Sequence, residues 1–413
     1  MTQDKFRTDL MQIFNCGIDR VRGRSAVISA LKAYPITSSQ LHLLAIGKAA
    51  SDMTLGALTV LGDSVKDGLL ITKRGHIAAE LKKNNIIELI ESDHPLPSDA
   101  SLHAGQKLLD YLDSRAVAGA HFLFLLSGGA SSLVEVLATG MTLVDLKEMT
   151  RLLLSKGFDI GQMNALRQAV SCIKGGRLAA KLRGCKTLNL MISDVPRDDP
   201  AVIGSGLLSQ PSGKLNLDDY PQEIKQCLNN MELVAQPNAD AFSCIDTRIV
   251  ACLDDAKTAC VDQAIALGYD AYAVADFIAG DVSEVAERLY QTLSDSTHRL
   301  LIWGGEPAMH LPANPGRGGR NQHLALLLAE RIAHKEGIYF LIAGTDGSDG
   351  PTTDAGALVD ANTIARGVSK GFDVKHSLAA ADSGHFLSQT KDLISTGPTG
   401  TNVMDLMIGL KSS

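Results

Sequence analysis

Leu300–Gln322 reads LLIWGGEPAMHLPANPGRGGRNQ, and the rest of the chain is understood from how this stretch is read. The short apolar run Leu300–Trp303 predicts a buried strand. It runs into Gly304-Gly305-Glu306 and a loop carrying Pro312, Pro315, Gly316, Gly318 and Gly319, with Arg317 and Arg320 inside the glycine cluster. Asn321-Gln322 then opens a helical pattern, HLALLLAERIAHKEG, that ends at Gly337. Glycines let a backbone approach an anion, free N–H groups at a helix start attract it, and guanidinium forks match phosphate or carboxylate. A mobile surface loop with solvated arginines has the same composition, and this stretch alone does not separate the two.

Outward from it, 413 residues are too many for one ordinary core and predict two domains. The boundary falls in the turn-rich, weakly patterned segment 205–238, giving domains over 1–240 and 241–413. Charged residues are 21% and apolar residues 45%, the balance of a globular protein. A net charge of −7 excludes a general binder of nucleic acid or anionic membrane, while permitting a local basic pocket. Aromatics at 4% exclude base-stacking platforms. Seven cysteines without a C-x-x-C spacing read as reduced thiols of a cytosolic protein. No apolar run approaches a membrane span, and the acidic start lacks a signal-peptide pattern. A cytoplasmic, soluble protein with neither nucleic acid nor membrane as partner is the expectation, and the sequence leaves a homodimer open.

Apolar runs alternate with helical patterns along both halves. Strands are expected at 41–46, 68–72, 86–91, 122–126 and 187–192, then at 248–252, 271–274, 300–303, 338–343 and 403–410. Ser98-Asp99 caps a helix that continues to about Leu112. The alternation predicts an α/β fold whose first domain has a parallel sheet with helices on both faces. Five strands end in small polar residues and glycine: Gly47-Lys48, Ser127-Gly128-Gly129, Ser193-Asp194, Gly304-Gly305-Glu306 and the run Gly344–Gly350. Ligands of open α/β sheets bind beyond the carboxyl ends of strands, so these ends predict a shared phosphate-handling cleft.

Within it, the Lys48 ammonium suits a phosphate or carboxylate, unless it is one of the many solvated lysines. Asp194 suits a hydroxyl proton, a magnesium ion or a turn cap. Asp346, Asp349 and Asp354 lie in GTDGSDGPTTDAG. Their spacing is no EF-hand; magnesium with one or two carboxylates competes with a glycine-rich turn of solvated acids. No P-loop, G-x-G-x-x-G or H-E-x-x-H signature is present.

Eight segments together resemble the type II glycerate kinases, whose C-terminal half is the MOFRL domain. They are AIGKAA (45–50), ESDHPLPSDASL (91–102), LLSGGASSL (125–133), MNALRQAVSCIKGGRLA (163–179), ISDVPRDDPAVIGSG (192–206), GRGGRNQHLAL (316–326), AGTDGSDGPTTDAGALVD (343–360) and TGPTGTNVMDL (396–406). The resemblance implies ATP- and magnesium-dependent phosphorylation of D-glycerate at the 2-hydroxyl. It also implies an active site between a Rossmann-like N-terminal domain and a mixed α/β MOFRL-type C-terminal domain. Carried over by motif, Lys48 and Arg320 are the catalytic cations and Asp194 the aspartate of I-S-D-V. Ser127, Gly128, Gly129, Gly318, Gly319 and Asn321 supply donors to substrate and phosphate, and Asp346 and Asp349 are the magnesium ligands.

The chain departs from the family pattern at several loops. Arg197 replaces a glycine, and Leu207-Leu208 stands where P-T is usual. Pro307 replaces a threonine, and Ala381 and Met404 replace asparagines. Two other classes carry over as alternatives: a hydroxypyruvate reductase, against which the missing dinucleotide fingerprint counts, and a non-catalytic sensor of hydroxy acids.

Overall fold

The computed structural model describes residues 3–38, 40–158, 160–211, 215–229, 231 and 234–412. The chain divides into two compact units, Gly23–Val250 and Met1–Arg22 together with Ala251–Ser413. This division differs from the expected cut at 240/241 for two physical reasons. The strand Ile245–Ala251 completes the edge of the first sheet, and the first helix is buried in the second unit.

In the Gly23–Val250 unit six strands form one sheet: β1 Leu41–Ile46, β2 Val65–Lys73, β3 Ile87–Ser92, β4 His121–Leu126, β5 Lys186–Ile192 and β6 Ile245–Ala251. The order is β3-β2-β1-β4-β5-β6, the doubly wound order. Pairings from β3 through β5 are parallel. Strand β1 is buried along its whole length, as an apolar strand covered on both faces must be. Its core joins Leu44, Ile46, Ile71, Phe124 and Leu126 to Leu108 and Leu112 of the helix Asp99–Arg115. Ser98 caps that helix as expected, accepting from the amide N–H of Ala100. Residues 143–182, where helical patterns are expected, form three helices, Leu143–Ser155, Ile160–Ala169 and Arg177–Lys181. The first two pack with Tyr220, Ile224 and Leu228 into a separate small core.

The other unit carries a mixed sheet: β7 Ala271–Ile278, β8 Leu300–Gly305, β9 Ile338–Gly344, β10 Gly356–Asp360, β11 Leu393–Ile394 and β12 Asp405–Lys411. The order is β11-β10-β9-β12-β8-β7. The last strand, β12, lies antiparallel between β8 and β9, which therefore point the same way. Strands β10 and β11 were not legible as strands: they are short and follow a turn-rich loop and a helix. The helix after the glycine loop spans Arg320–Arg331, stopping short of Gly337.

The helix Gln3–Val21 belongs to this second unit. Gly17 lets it meet the helix Leu253–Ala266, since an added Cβ would lie 2.5 Å from Cys260 Sγ. Arg7 donates to Asp360 Oδ2 at 2.5 Å and to Asp392 Oδ1 at 2.9 Å, and Arg366 holds the same two buried carboxylates from the other side. Removing one cation from such a cluster strands buried charge. Arg7→Ala is expected to lower unfolding free energy by about 3 kcal/mol in a denaturant titration. A loss below about 0.5 kcal/mol, the scale of a surface pair, would refute that role.

Candidate active site

In the parallel sheet, β1 and β4 are neighbours whose crossovers leave in opposite directions, and the loops after them meet at the carboxyl ends. This is the switch point at which doubly wound sheets take ligands. Gly47, at φ +133, is held against Ser127, whose Oγ would sit 2.2 Å from any added Cβ. The amide N–H of Lys48 donates to Gly128 O at 2.9 Å, and that of Ala49 donates to Ser127 Oγ at 3.0 Å. The lysine is thereby fixed beside the glycine loop, with Cγ 3.2 Å from where a Gly129 Cβ would stand. Lys48, Ser127, Gly128 and Gly129 are thus brought together as one group. Asp194, just past β5, and His94, just past β3, share with Gly129 the lining of a cavity of about 660 Å³.

A cluster that sequence reading passed over reaches the lining of that cavity through Lys174. Lys174 and Glu135 form an ion pair that is almost completely buried. Ser171 Oγ donates to Glu135 Oε1 at 2.6 Å, and the amide N–H of Val136 donates to the same oxygen at 3.0 Å. Arg177 is also buried, and it donates to the carbonyls of Gln168, Lys174, Val234 and Ala235. Burial pushes its pKa below the ordinary value. These groups brace the CIKGGR segment.

In the mixed sheet, Arg320 opens the helix Arg320–Arg331 directly after Gly318 and Gly319. Its Nε and Nη2 donate to Asp405 at 2.7 and 3.2 Å, and its Nη1 meets Glu306 at 2.8 Å. Register explains the convergence. Asp405, the first residue of β12, stands level with Gly305 at the end of β8 and Gly344 at the end of β9. Burial would lower the Arg320 pKa, but Asp405 first, then Glu306 and Asp349, hold it above the ordinary range. The guanidinium is permanently charged, bidentately anchored, and one-third exposed. Asp405 was missed as a site residue because only long-range strand pairing brings it there.

Asp349, expected as a metal ligand, also has a structural role. It is buried, and both carboxylate oxygens accept backbone N–H groups, Oδ1 from Asn321 at 3.1 Å and Oδ2 from Gln322 at 2.8 Å. It therefore caps the helix that carries Arg320, and the closeness of Gly319, where a Cβ would fall 2.3 Å from Oδ1, makes room for it. Asp346 is half-buried, with Oδ1 accepting from the Ser348 amide and hydroxyl at 2.9 Å each. Among the described residues no group of three or more His, Cys, Asp or Glu side chains is arranged to hold a metal ion. Magnesium needs only one or two carboxylates beside phosphate and water oxygens. Asp346, half-buried with both Ser348 donors on Oδ1, is the more accessible of the two; each Asp349 oxygen accepts one amide and keeps further acceptor capacity. Arg317, the other arginine of the loop, is tied to Asp354 Oδ2 at 2.6 Å.

Three departures from the family pattern have a backbone signature. Arg197, Ala381 and Met404 stand at φ of 65, 51 and 70. This left-handed region costs an ordinary side chain about 1–2 kcal/mol, and glycine and asparagine tolerate it best. The expected glycine and asparagines would fit the backbone that these residues adopt.

Fold and site together define a two-unit α/β protein with glycine-lined, cation-bearing strand ends. Residues 9–235 match the domain of unknown function DUF4147, and residues 299–405 match the MOFRL family. The D-glycerate 2-kinase of Thermotoga maritima is 34% identical over 382 residues, covering 89% of this chain and 90% of that one. A putative hydroxypyruvate reductase of Agrobacterium vitis is 34% identical over 390 residues, covering 88% and 97%. The crystal structure of glycerate kinase from Thermotoga maritima superposes with a TM-score of 0.83 at 30% identity, covering 99% of this chain and all of that one. The chain belongs to the type II glycerate kinase family.

Burial pushes the Asp349 carboxyl up to about 7, against the pull of the two amides. The folded state therefore binds this proton more tightly than the unfolded chain does. The stability so added is complete below about pH 4 and is lost as pH rises through about 7. Thermal unfolding is expected to lose on the order of 3 kcal/mol between about pH 4 and pH 8 from this group. Asp349→Asn should flatten that slope; an unchanged slope would assign the titration elsewhere.

Proposed function

We propose that the protein transfers the γ-phosphoryl group of ATP to the 2-hydroxyl of D-glycerate, giving 2-phosphoglycerate and ADP, in the cytoplasm. The observation that carries this reading is the Arg320 guanidinium, fixed by Asp405 and Glu306 at the end of a glycine-rich loop, in a chain of this family. Phosphoryl transfer asks for alignment and neutralised charge more than for covalent chemistry.

The acceptor hydroxyl oxygen forms its bond to phosphorus as the bond from phosphorus to the ADP oxygen breaks, and the hydroxyl proton departs. Arg320 offsets the charge on the transferring group. Asp405, paired with it, keeps the guanidinium in place without taking part itself. Lys48 serves a phosphate or the acceptor carboxylate. The Ser127–Gly129 and Gly318–Gly319 loops, with Asn321, supply donors and let the backbone approach the ligands. Asp194, which lines the cavity beside Gly129, orients the acceptor hydroxyl and receives its proton. Magnesium bound with the nucleotide would supply further charge neutralisation, with Asp346 as the carboxylate to hold it. A reductase of hydroxypyruvate would need a dinucleotide seat, and the sequence lacks the glycine fingerprint for one.

Incubation with ATP, magnesium and a panel of small hydroxy acids, read by phosphorus NMR, tests the reading. A new phosphoester on the 2-oxygen of D-glycerate is expected, and oxidation of NADH by hydroxypyruvate without any phosphoester would overturn it. Arg320→Ala should cut turnover at least about 100-fold while the circular dichroism spectrum is retained. Arg320→Lys should restore little, because the bidentate fork is lost.

A further inference from the structure

The cavity of about 660 Å³ in the Gly23–Val250 unit is far larger than a three-carbon acid requires, and lies within the usual range for a nucleotide-sized ligand. We propose that it seats the phosphoryl donor, with the nucleoside against a leucine wall and the phosphates on Arg167. This rests on the kinase reading and adds to it the place where the donor binds.

The wall is apolar, buried at Leu146 and open at Leu154 and Leu96. Leu146 and Leu154 line the cavity from the helix Leu143–Ser155, two turns apart on one face. That helix commits Leu146, Met149 and Leu153 to its own small core, which fixes its orientation. Leu154 is left 62% exposed, and Leu96, on the turn after β3, is 61% exposed. A flat ring laid between them covers both and leaves water little to hydrate.

The opposite side carries charge. Arg167 lines the cavity half-buried, and among the described residues its guanidinium has no hydrogen-bond or ion-pair partner. Burial lowers its pKa, with Glu135 acting against this through space. Glu135 itself is already engaged by Lys174 and Ser171. A guanidinium partly removed from water without a carboxylate is complete only when an anion arrives. Lys147 and Arg151 add two more positive charges to the lining, which the buried Lys174 also reaches, and Asp194 is its single acid. This is a basic surface in a chain of net charge −7.

Calorimetric titration of ADP with magnesium into the wild-type protein, Leu154→Glu and Arg167→Gln tests the seat. Steady-state kinetics with ATP and D-glycerate varied separately accompany it. Each variant is expected to bind ADP about tenfold or more weakly. The KM for ATP should rise in step, while the KM for D-glycerate stays within about twofold. Leu154 is on the surface, so its variant folds even if Arg167→Gln does not. Unchanged ADP affinity in Leu154→Glu overturns the proposal. So does a rise in the D-glycerate KM alone, which would make the cavity the acceptor's seat. Binding of ADP needs no turnover. A protein that binds ADP through these residues but phosphorylates no hydroxy acid supports the seat and overturns only the kinase reading.

Discussion

The central strands of both sheets are apolar on both faces, and that constraint arranges the strand ends. A strand such as β1, buried at every position, has no face on which to carry a charged group. Polar chemistry is displaced to the strand ends, where the chain leaves the core and backbone donors become free. In the parallel sheet this gathers Lys48, the Ser127–Gly129 loop and Asp194 at one edge. In the mixed sheet it gathers Glu306, Asp346 and Asp405, because β8 and β9 run together and β12 begins between them.

Charge is managed differently in the two units. Arg320 is held by acids that outnumber it, so its orientation is set before any ligand arrives. The cluster of Lys174 and Glu135 is closed to solvent and satisfied internally, which suits a brace more than a reagent. Arg167 lies between these cases, half-buried with no acid bonded to it among the described residues. Breaking a buried pair costs far more than breaking a surface one. The braces are therefore expected to tolerate substitution less well than the ligand-facing groups.

Much of this was legible in the sequence. The apolar runs gave the strands of the parallel sheet to within a few residues, because burial on both faces writes an uninterrupted signal. The glycine-rich ends marked the loops that the fold places beyond the carboxyl ends of strands. Three kinds of feature were not legible. Asp405 and strands β10 and β11 depend on antiparallel pairing between segments far apart in sequence, and local patterning does not encode that. The capping role of Asp349 was hidden because it sits among acids. Its role is set by the amides of Asn321 and Gln322, 28 and 27 residues earlier. The unpaired state of Arg167 is a property of the packed unit, and no spacing rule announces it.

The first helix is built into the unit that is completed last. Its Leu10, Ile13 and Phe14 are fully covered, and Ile13 O accepts from Cys260 Sγ, 247 residues further along the chain. On the ribosome this helix emerges with its greasy face bare and must wait for its partners, while the intervening 23–250 segment emerges in one piece and can close its own sheet. Synthesis therefore imposes an order, interior segment before flanks. During that interval the nascent chain presents a sticky amphipathic handle of the kind that chaperones grip.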